Sequence, residues 1–119
     1  MITGVDVHEL GLAENTLDLA LMHLARLGAE KIVALTIRVG ALSGVDGEAL
    51  RYALEIITRG TAAEQAAIHL EDVRPVCYCV HCEESFDVEV PSYACPRCGK
   101  LSANLLAGTE LDLVSMEVD

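Results

Sequence analysis

Four cysteines form two Cys-x-x-Cys turns, Cys79 with Cys82 and Cys95 with Cys98, separated by a spacer of twelve residues. Two such turns facing each other supply four thiolates at the spacing of a tetrahedral zinc site. A site in which protein fills all four positions leaves none open for a substrate, so this zinc would be structural rather than catalytic. A rubredoxin-type iron site and a redox-active cysteine pair are the two alternatives.

Two further potential ligands lie beside the first turn. Cys77 is separated from Cys79 by a single residue, which is too short for the two-residue loop of a metal-binding turn, so we expect it to stand outside the site. His81 lies within the first turn, and we expect it to face solvent. The alternative for His81 is that it replaces a lost thiolate as a ligand.

An imidazole and a carboxylate adjoin at His8 and Glu9, immediately before a leucine-rich helical pattern. Histidine nitrogen is a common ligand of transition metals, including nickel. The plainer interpretation is a polar helix start, in which a glutamate in the first turn is favoured by the helix dipole. From the residues alone, both interpretations stay open.

Hydrophobic periodicity predicts the elements that would position these groups. Apolar residues recur at gaps of three and four over residues 8–27, which indicates a helix, and "KIVALTIRVG" alternates as a strand does. A second helix follows in "DGEALRYALEIITRGT", with Asp46 as its N-cap. "AAIHLEDV" and "TELDLVSMEV" read as two more strands. The last one changes phase, which requires either a bulge near Val114 or a strand covered on both faces.

Residues 76–107 differ in kind from the rest of the chain. They hold all five cysteines and two of the three prolines, and they show no amphipathic period. We therefore predict an inserted zinc-binding domain at 76–107 and a main domain made of residues 1–75 and 108–119. The predicted fold class is α+β: a three-stranded, mostly antiparallel sheet with two helices, plus an inserted four-cysteine zinc-ribbon module. Short connections favour antiparallel neighbours here.

Composition narrows the possible functions. With 8 basic and 19 acidic residues among 119, the net charge is −11, which disfavours nucleic acid as a partner and suits a cation or a basic protein surface. No apolar stretch is long enough to span a membrane, and no basic targeting segment opens the chain, so we expect a cytoplasmic protein. No nucleophile–base arrangement, phosphate-binding loop or open metal site points to an enzyme.

The chain resembles the HypA/HybF family of hydrogenase maturation factors, which are nickel metallochaperones. The resemblance covers nearly the whole sequence. It rests on "HELGL", on "IRVGALSGVDGEALRYALEIITRGT", on the two Cys-x-x-Cys turns and on the acidic final strand. It implies a nickel-binding domain with an inserted zinc domain, holding structural Zn²⁺ and transferable Ni²⁺. It also implies delivery of nickel to the large subunit of [NiFe]-hydrogenase together with a HypB-type GTPase. Self-association of this chain is left open, and some relatives also deliver nickel to urease.

The resemblance also implies a nickel site. The family begins with Met-His-Glu, which matches His8 and Glu9 here, and Asp46 matches an aspartate that some members use before the second helix. Six residues precede Val7 in this chain. If they are native, no terminal amine adjoins His8; a start at Val7 would restore the family site. The alternative function is a zinc-ribbon adaptor that binds a protein partner and carries no transferable metal.

Overall fold

The computed structural model of the protein describes residues 7–119, so residues 1–6, and with them the question of the native start, lie outside the described part. Two helices and six strands follow one another along the chain. They are α1 (Val7–Leu27), β1 (Ile32–Gly40), α2 (Gly47–Ile57), β2 (Ala67–Val73), β3 (Val76–Cys79), β4 (Glu84–Asp87), β5 (Leu105–Ala107) and β6 (Leu111–Val118).

Helix α1 forms because its apolar residues fall on one stripe. The side chains of Ala13, Leu17, Ala20 and Leu24 are all buried, at the three- and four-residue spacing of a single helix face. The helix ends before Gly28, whose φ of 67° places it in the left-handed region and whose N–H donates to the Ala25 carbonyl at 3.2 Å. The helix predicted for residues 8–27 begins one residue later than α1 does.

Helix α2 begins at the predicted cap. Oδ1 of Asp46 accepts hydrogen bonds from the N–H groups of Glu48 at 3.0 Å and Ala49 at 3.3 Å. The N–H groups of a helix's first turn have no carbonyl acceptor within the helix, and the Asp46 side chain supplies one for these two. One face of the helix is then buried through Leu50, Ala53 and Leu54.

The main sheet has the strand order β2-β1-β6. Strands β1 and β6 are antiparallel, whereas β1 and β2 are parallel, with Leu35 opposite Ile68. The expectation that short connections make neighbours antiparallel therefore fails for one pair. The reason is that α2 lies within the connection between β1 and β2 and carries the chain back as a crossover. The predicted fold class of two helices, mostly antiparallel sheet and four-cysteine module is confirmed.

Strand β6 contains the predicted bulge. Thr36 pairs with Ser115 and Ile37 pairs with Leu113, so Val114 has no partner on β1. The extra residue restores the phase, and the apolar residues on both sides of it pack against the same core. Of the two explanations for the phase change, the structure shows the bulge.

Both helices cover one face of this sheet and close the main core. Leu35 and Ile37 from β1 are almost completely buried, as are Leu50 and Leu54 from α2. Each such aliphatic side chain contributes roughly 1.5–3 kcal/mol through the removal of its surface from water. This core holds the start of α1 and the start of α2 in fixed places.

Strands β3, β4 and β5 form a second sheet of order β4-β3-β5, in which both pairs are antiparallel. Its small core contains Cys77, Phe86 and Val88. The chain enters this sheet after β2 and returns to β6 through Gly108, where close packing requires glycine. A Cβ atom on Gly40 would lie 2.2 Å from the Gly108 carbonyl oxygen. The Leu42 N–H donates to that same oxygen at 2.6 Å, which holds the loop after β1 against the segment between β5 and β6.

Candidate metal centres

The four cysteines of the two Cys-x-x-Cys turns come together at one end of the second sheet. Their sulfur atoms all lie within 4.8 Å of one another. The Sγ atoms of Cys79 and Cys98 are 3.7 Å apart, and those of Cys95 and Cys82 are 3.9 Å apart. A zinc ion about 2.3 Å from four tetrahedral sulfur atoms sets them about 3.8 Å apart, so this donor set fits zinc.

Backbone hydrogen bonds shape each cysteine turn. In the first turn the Cys82 N–H points at the Cys79 sulfur at 3.4 Å, and Glu83 follows with a positive φ of 55°. In the second, the Cys95 carbonyl accepts from the Gly99 N–H at 2.8 Å, and Gly99 has a φ of 76°. A glycine after Cys98 is a local signal for such a turn, whereas nothing in the sequence indicates a positive φ at Glu83, because non-glycine residues rarely adopt one.

The four thiols influence one another's protonation. Burial, reinforced by hydrogen bonds with the neighbouring thiols, raises the pKa of Cys82 to about 12. Hydrogen bonds from the backbone of Cys98, followed by Arg97, instead lower the pKa of Cys95 to about 7. The Cys95 thiol therefore loses its proton at a lower pH than the Cys82 thiol does. A bound divalent cation would stabilise the thiolate at every position.

Cys77 and His81 lie outside this group of sulfur atoms. The Cys77 side chain is completely buried in the small core, and its sulfur lies 4.0 Å from the Ser102 carbonyl oxygen. His81 is exposed, and its Nδ1 lies 3.5 Å from the Lys100 ammonium nitrogen. Cys77 therefore packs as a small apolar residue, while His81 faces solvent beside a cation.

His8 and Glu9 occupy the first turn of α1 with opposite exposure. The His8 side chain is 59% exposed and that of Glu9 is 7% exposed, with His8 Nδ1 and Glu9 Oε2 3.3 Å apart. A buried carboxylate needs a partner to offset its lost hydration. Glu9 thus holds one ring nitrogen of an exposed imidazole, a contact that adjacency in sequence alone did not predict.

Asp46 is exposed, and one of its carboxylate oxygens is committed to the cap of α2. Within residues 7–119, the four cysteines form the only group of three or more metal-binding side chains whose ligand atoms could reach one ion. The structure therefore brings His8 and Glu9 together as a pair, and it does not join Asp46 to them in a group of that kind.

Comparison with known proteins now identifies the family. A family model described as "Hydrogenase/urease nickel incorporation, metallochaperone, hypA" matches residues 7–118. The chain belongs to the HypA family. HypA relatives named "Hydrogenase maturation factor HypA" include a protein of Picosynechococcus sp., 43% identical, with alignment over 94% of this chain and 99% of the relative. Another, from Salmonella typhimurium, is 30% identical over 95% of this chain and 97% of its own.

Solved structures show the same fold. The solution structure of the nickel metallochaperone HypA from Helicobacter pylori has a TM-score of 0.64 at 22% identity, covering 92% of this chain and 96% of that one. A second, titled "Solution structure of HypA protein", reaches a TM-score of 0.70, also at 22% identity, over 96% and 98%. This chain therefore has the fold of these HypA structures. No helix in the described range is both long and apolar enough to cross a membrane.

Proposed function

We propose that this protein is a cytoplasmic nickel metallochaperone that binds Ni(II) at the start of α1 and delivers it for the maturation of [NiFe]-hydrogenase. Membership of a nickel-incorporation family supports the class of function. The observation that carries the site is the exposed His8 imidazole held at 3.3 Å by the buried Glu9 carboxylate. The protein is a carrier, and no catalytic step is assigned to it.

In this proposal Nε2 of His8 is the nickel ligand and Glu9 is the group that orients the ring. A carboxylate at Nδ1 fixes the tautomer and increases the electron density of the other ring nitrogen, as it does in many metal sites. Ni(II) accepts nitrogen and oxygen donors, and backbone amide nitrogens can complete a square plane once each has released its proton to solvent. A small ligand set at an exposed position holds the ion and also lets it leave, as a delivery protein requires.

Asp46 is proposed to act first as the N-cap of α2. Its Oδ1 is occupied by two N–H groups, so only Oδ2 remains to interact with an ion near the start of α1. Because capping uses one oxygen, the two roles are chemically compatible.

The four cysteine thiolates are proposed to hold a structural Zn²⁺. Two of the sulfur–sulfur distances, 3.7 and 3.9 Å, match those of tetrahedral zinc coordination. The small core of the second sheet is too limited to fold this segment unaided, and bound zinc supplies the missing stability. We accordingly propose residues 76–107 as the zinc-binding domain and residues 1–75 with 108–119 as the nickel-binding domain.

The proposed partners are a HypB-type GTPase and the large subunit of [NiFe]-hydrogenase, and nothing in this assignment requires nucleic acid or a membrane. The relatives' shared name, hydrogenase maturation factor, supports the hydrogenase as recipient. The family description also includes urease, so we propose a urease as a second recipient of the nickel.

The competing proposal is a zinc-ribbon adaptor that recruits a protein partner and carries no transferable metal. One observation favours it: in the described part of the chain, the cysteines alone form a group of three or more potential ligands. Under this alternative His8 and Glu9 only begin a helix.

Nickel titration of purified protein, with zinc kept bound, separates the two. We expect one Ni(II) per chain, lost or weakened at least tenfold in His8→Ala and unchanged in His69→Ala, an exposed histidine on β2. Zinc content should stay constant in all three proteins. Equal nickel binding by His8→Ala would reject the site, and no nickel binding by the unmodified chain would favour the adaptor.

A further inference from the structure

An apolar groove runs between the C-terminal half of α1 and the edge strand β6, far along the helix from His8. Its volume is about 310 Å³, and its apolar walls include Leu19 and Leu27 from the helix and Val114 and Met116 from the strand. Leu27 is 63% exposed, Leu19 is 39% exposed and Val114 is 37% exposed. Large apolar side chains gathered at one open groove mark an interaction surface more often than isolated ones do.

A cation adjoins this apolar surface. Arg26 lines the groove together with His23, and both side chains are exposed. Five of the eight lysine and arginine residues form ion pairs within residues 7–119. Arg26 is not among them, although the chain carries 19 acidic residues. An exposed arginine beside an apolar groove is therefore available to an acidic group on another molecule.

We propose that this α1–β6 groove binds a short segment of a partner protein in which apolar side chains are flanked by carboxylates. The apolar side chains would fill the space between Leu19 and Met116, and a carboxylate would pair with Arg26, which can engage both carboxylate oxygens. Attraction of this kind acts locally, because salt at physiological strength screens charges beyond about 8 Å. It can thus operate on a protein whose overall charge is negative.

A partner segment fits the groove better than a second copy of the chain. Two copies in contact bring two net charges of −11 together, whereas a short segment carries only a few carboxylates, so the repulsion that opposes docking is smaller for the segment. A second copy would dock through its own edge strand β6, which the bulge at Val114 interrupts. A bulge of this kind also opposes regular pairing of two edge strands.

The test uses a defined probe whose sequence does not occur in this chain, a fluorescein-labelled peptide SDLLAMLEDS, which combines apolar residues with flanking carboxylates. A neutral peptide, SNLLAMLQNS, is its matched control. We expect the acidic peptide to bind the zinc-loaded protein below about 1 mM and to shift backbone amide signals of Arg26, Leu27 and Met116. Arg26→Glu should weaken binding about fivefold or more, because an attractive exposed charge pair becomes repulsive.

Arg59→Glu is the control variant, since Arg59 is an exposed arginine without an ion pair that lies outside the groove. It should bind the peptide as the unmodified protein does, and circular dichroism should show that both variants fold. Equal binding by Arg26→Glu, equal binding of the neutral peptide, or no binding of the acidic one would overturn the proposal. Sedimentation of the protein alone covers the remaining case: a dimer abolished by Arg26→Glu would assign the groove to a second copy and reject the partner segment.

Discussion

Replacement of Asp46 tests how the start of α2 is stabilised and whether this carboxylate contributes to the proposed nickel site. In Asp46→Ala the N–H groups of Glu48 and Ala49 lose the acceptor that lies 3.0 and 3.3 Å away. In Asp46→Asn the side-chain oxygen that accepts these bonds is retained and only the charge is lost. The two variants therefore separate the capping hydrogen bonds from the charge of the carboxylate.

The expected loss for Asp46→Ala is about 1 kcal/mol in the free energy of unfolding, within the range of roughly 0.5–2 kcal/mol found for N-cap removal. Asp46 is exposed, so water replaces part of the lost bonding and the value should not approach that of a buried orphan donor. For a domain of this size, about 1 kcal/mol lowers Tm by roughly 3–6 °C. Asp46→Asn should stay within about 0.3 kcal/mol of the unmodified protein.

Thermal and urea unfolding, followed by circular dichroism with zinc in excess, measure both variants. An unchanged Tm in Asp46→Ala would refute the account of α2, because the two hydrogen bonds would then contribute nothing. Nickel titration of the same samples adds a second result. A nickel affinity that falls in Asp46→Asn while Tm is maintained assigns the free oxygen of Asp46 to the ion, and an unchanged affinity limits Asp46 to capping.

Three other changes follow from the structure. Leu54→Ala, in the main core, should lower the free energy of unfolding by about 2–5 kcal/mol, whereas Leu27→Ala, on an exposed side chain, should change it by less than about 0.5 kcal/mol, both measured by urea unfolding. Removal of zinc by a chelator should unfold the second sheet while α1 and α2 remain helical, as amide exchange can show; full protection of β3 without metal would contradict this. Glu110→Gln should reduce stability at neutral pH only. Hydrogen bonds from the backbone N–H groups of Glu110 and Gly108 lower the pKa of this carboxyl below its ordinary value of 4.5. The contribution of the carboxylate to the free energy of unfolding is therefore present above pH 4.5 and is lost as pH falls through the lowered pKa. A difference between Glu110→Gln and the unmodified protein that persists in acid would refute the assignment.

Much of the main domain could be predicted from the sequence because its elements are long and strongly patterned. The stripe on α1 and the cap at Asp46 are local signals, and the structure confirms both. The change of apolar phase within β6 predicted either a bulge near Val114 or a strand covered on both faces, and only the packing of both halves against one core decides for the bulge. The parallel pairing of β1 and β2 was missed because it depends on the path of α2 over the sheet, which no local pattern encodes.

The strands of the second sheet and their pairing could not be predicted from the sequence. Its strands are three or four residues long, which is too short for an alternating pattern to be read, and their pairing depends on where the cysteine turns meet. The grouping of four sulfur atoms was nevertheless foreseen, because Cys-x-x-Cys spacing reports local turn geometry. The opposite exposure of His8 and Glu9 was not foreseen, since it depends on how α1 packs against the core.

The central claim is that nickel and zinc occupy separate sites with different donors. X-ray absorption at the nickel edge, on protein with zinc bound and one equivalent of Ni(II) added, tests it most directly. We predict a shell of nitrogen and oxygen donors that includes an imidazole, without sulfur, and the loss of the imidazole signal in His8→Ala. Nickel–sulfur scattering, or an unchanged spectrum in His8→Ala, would contradict the account.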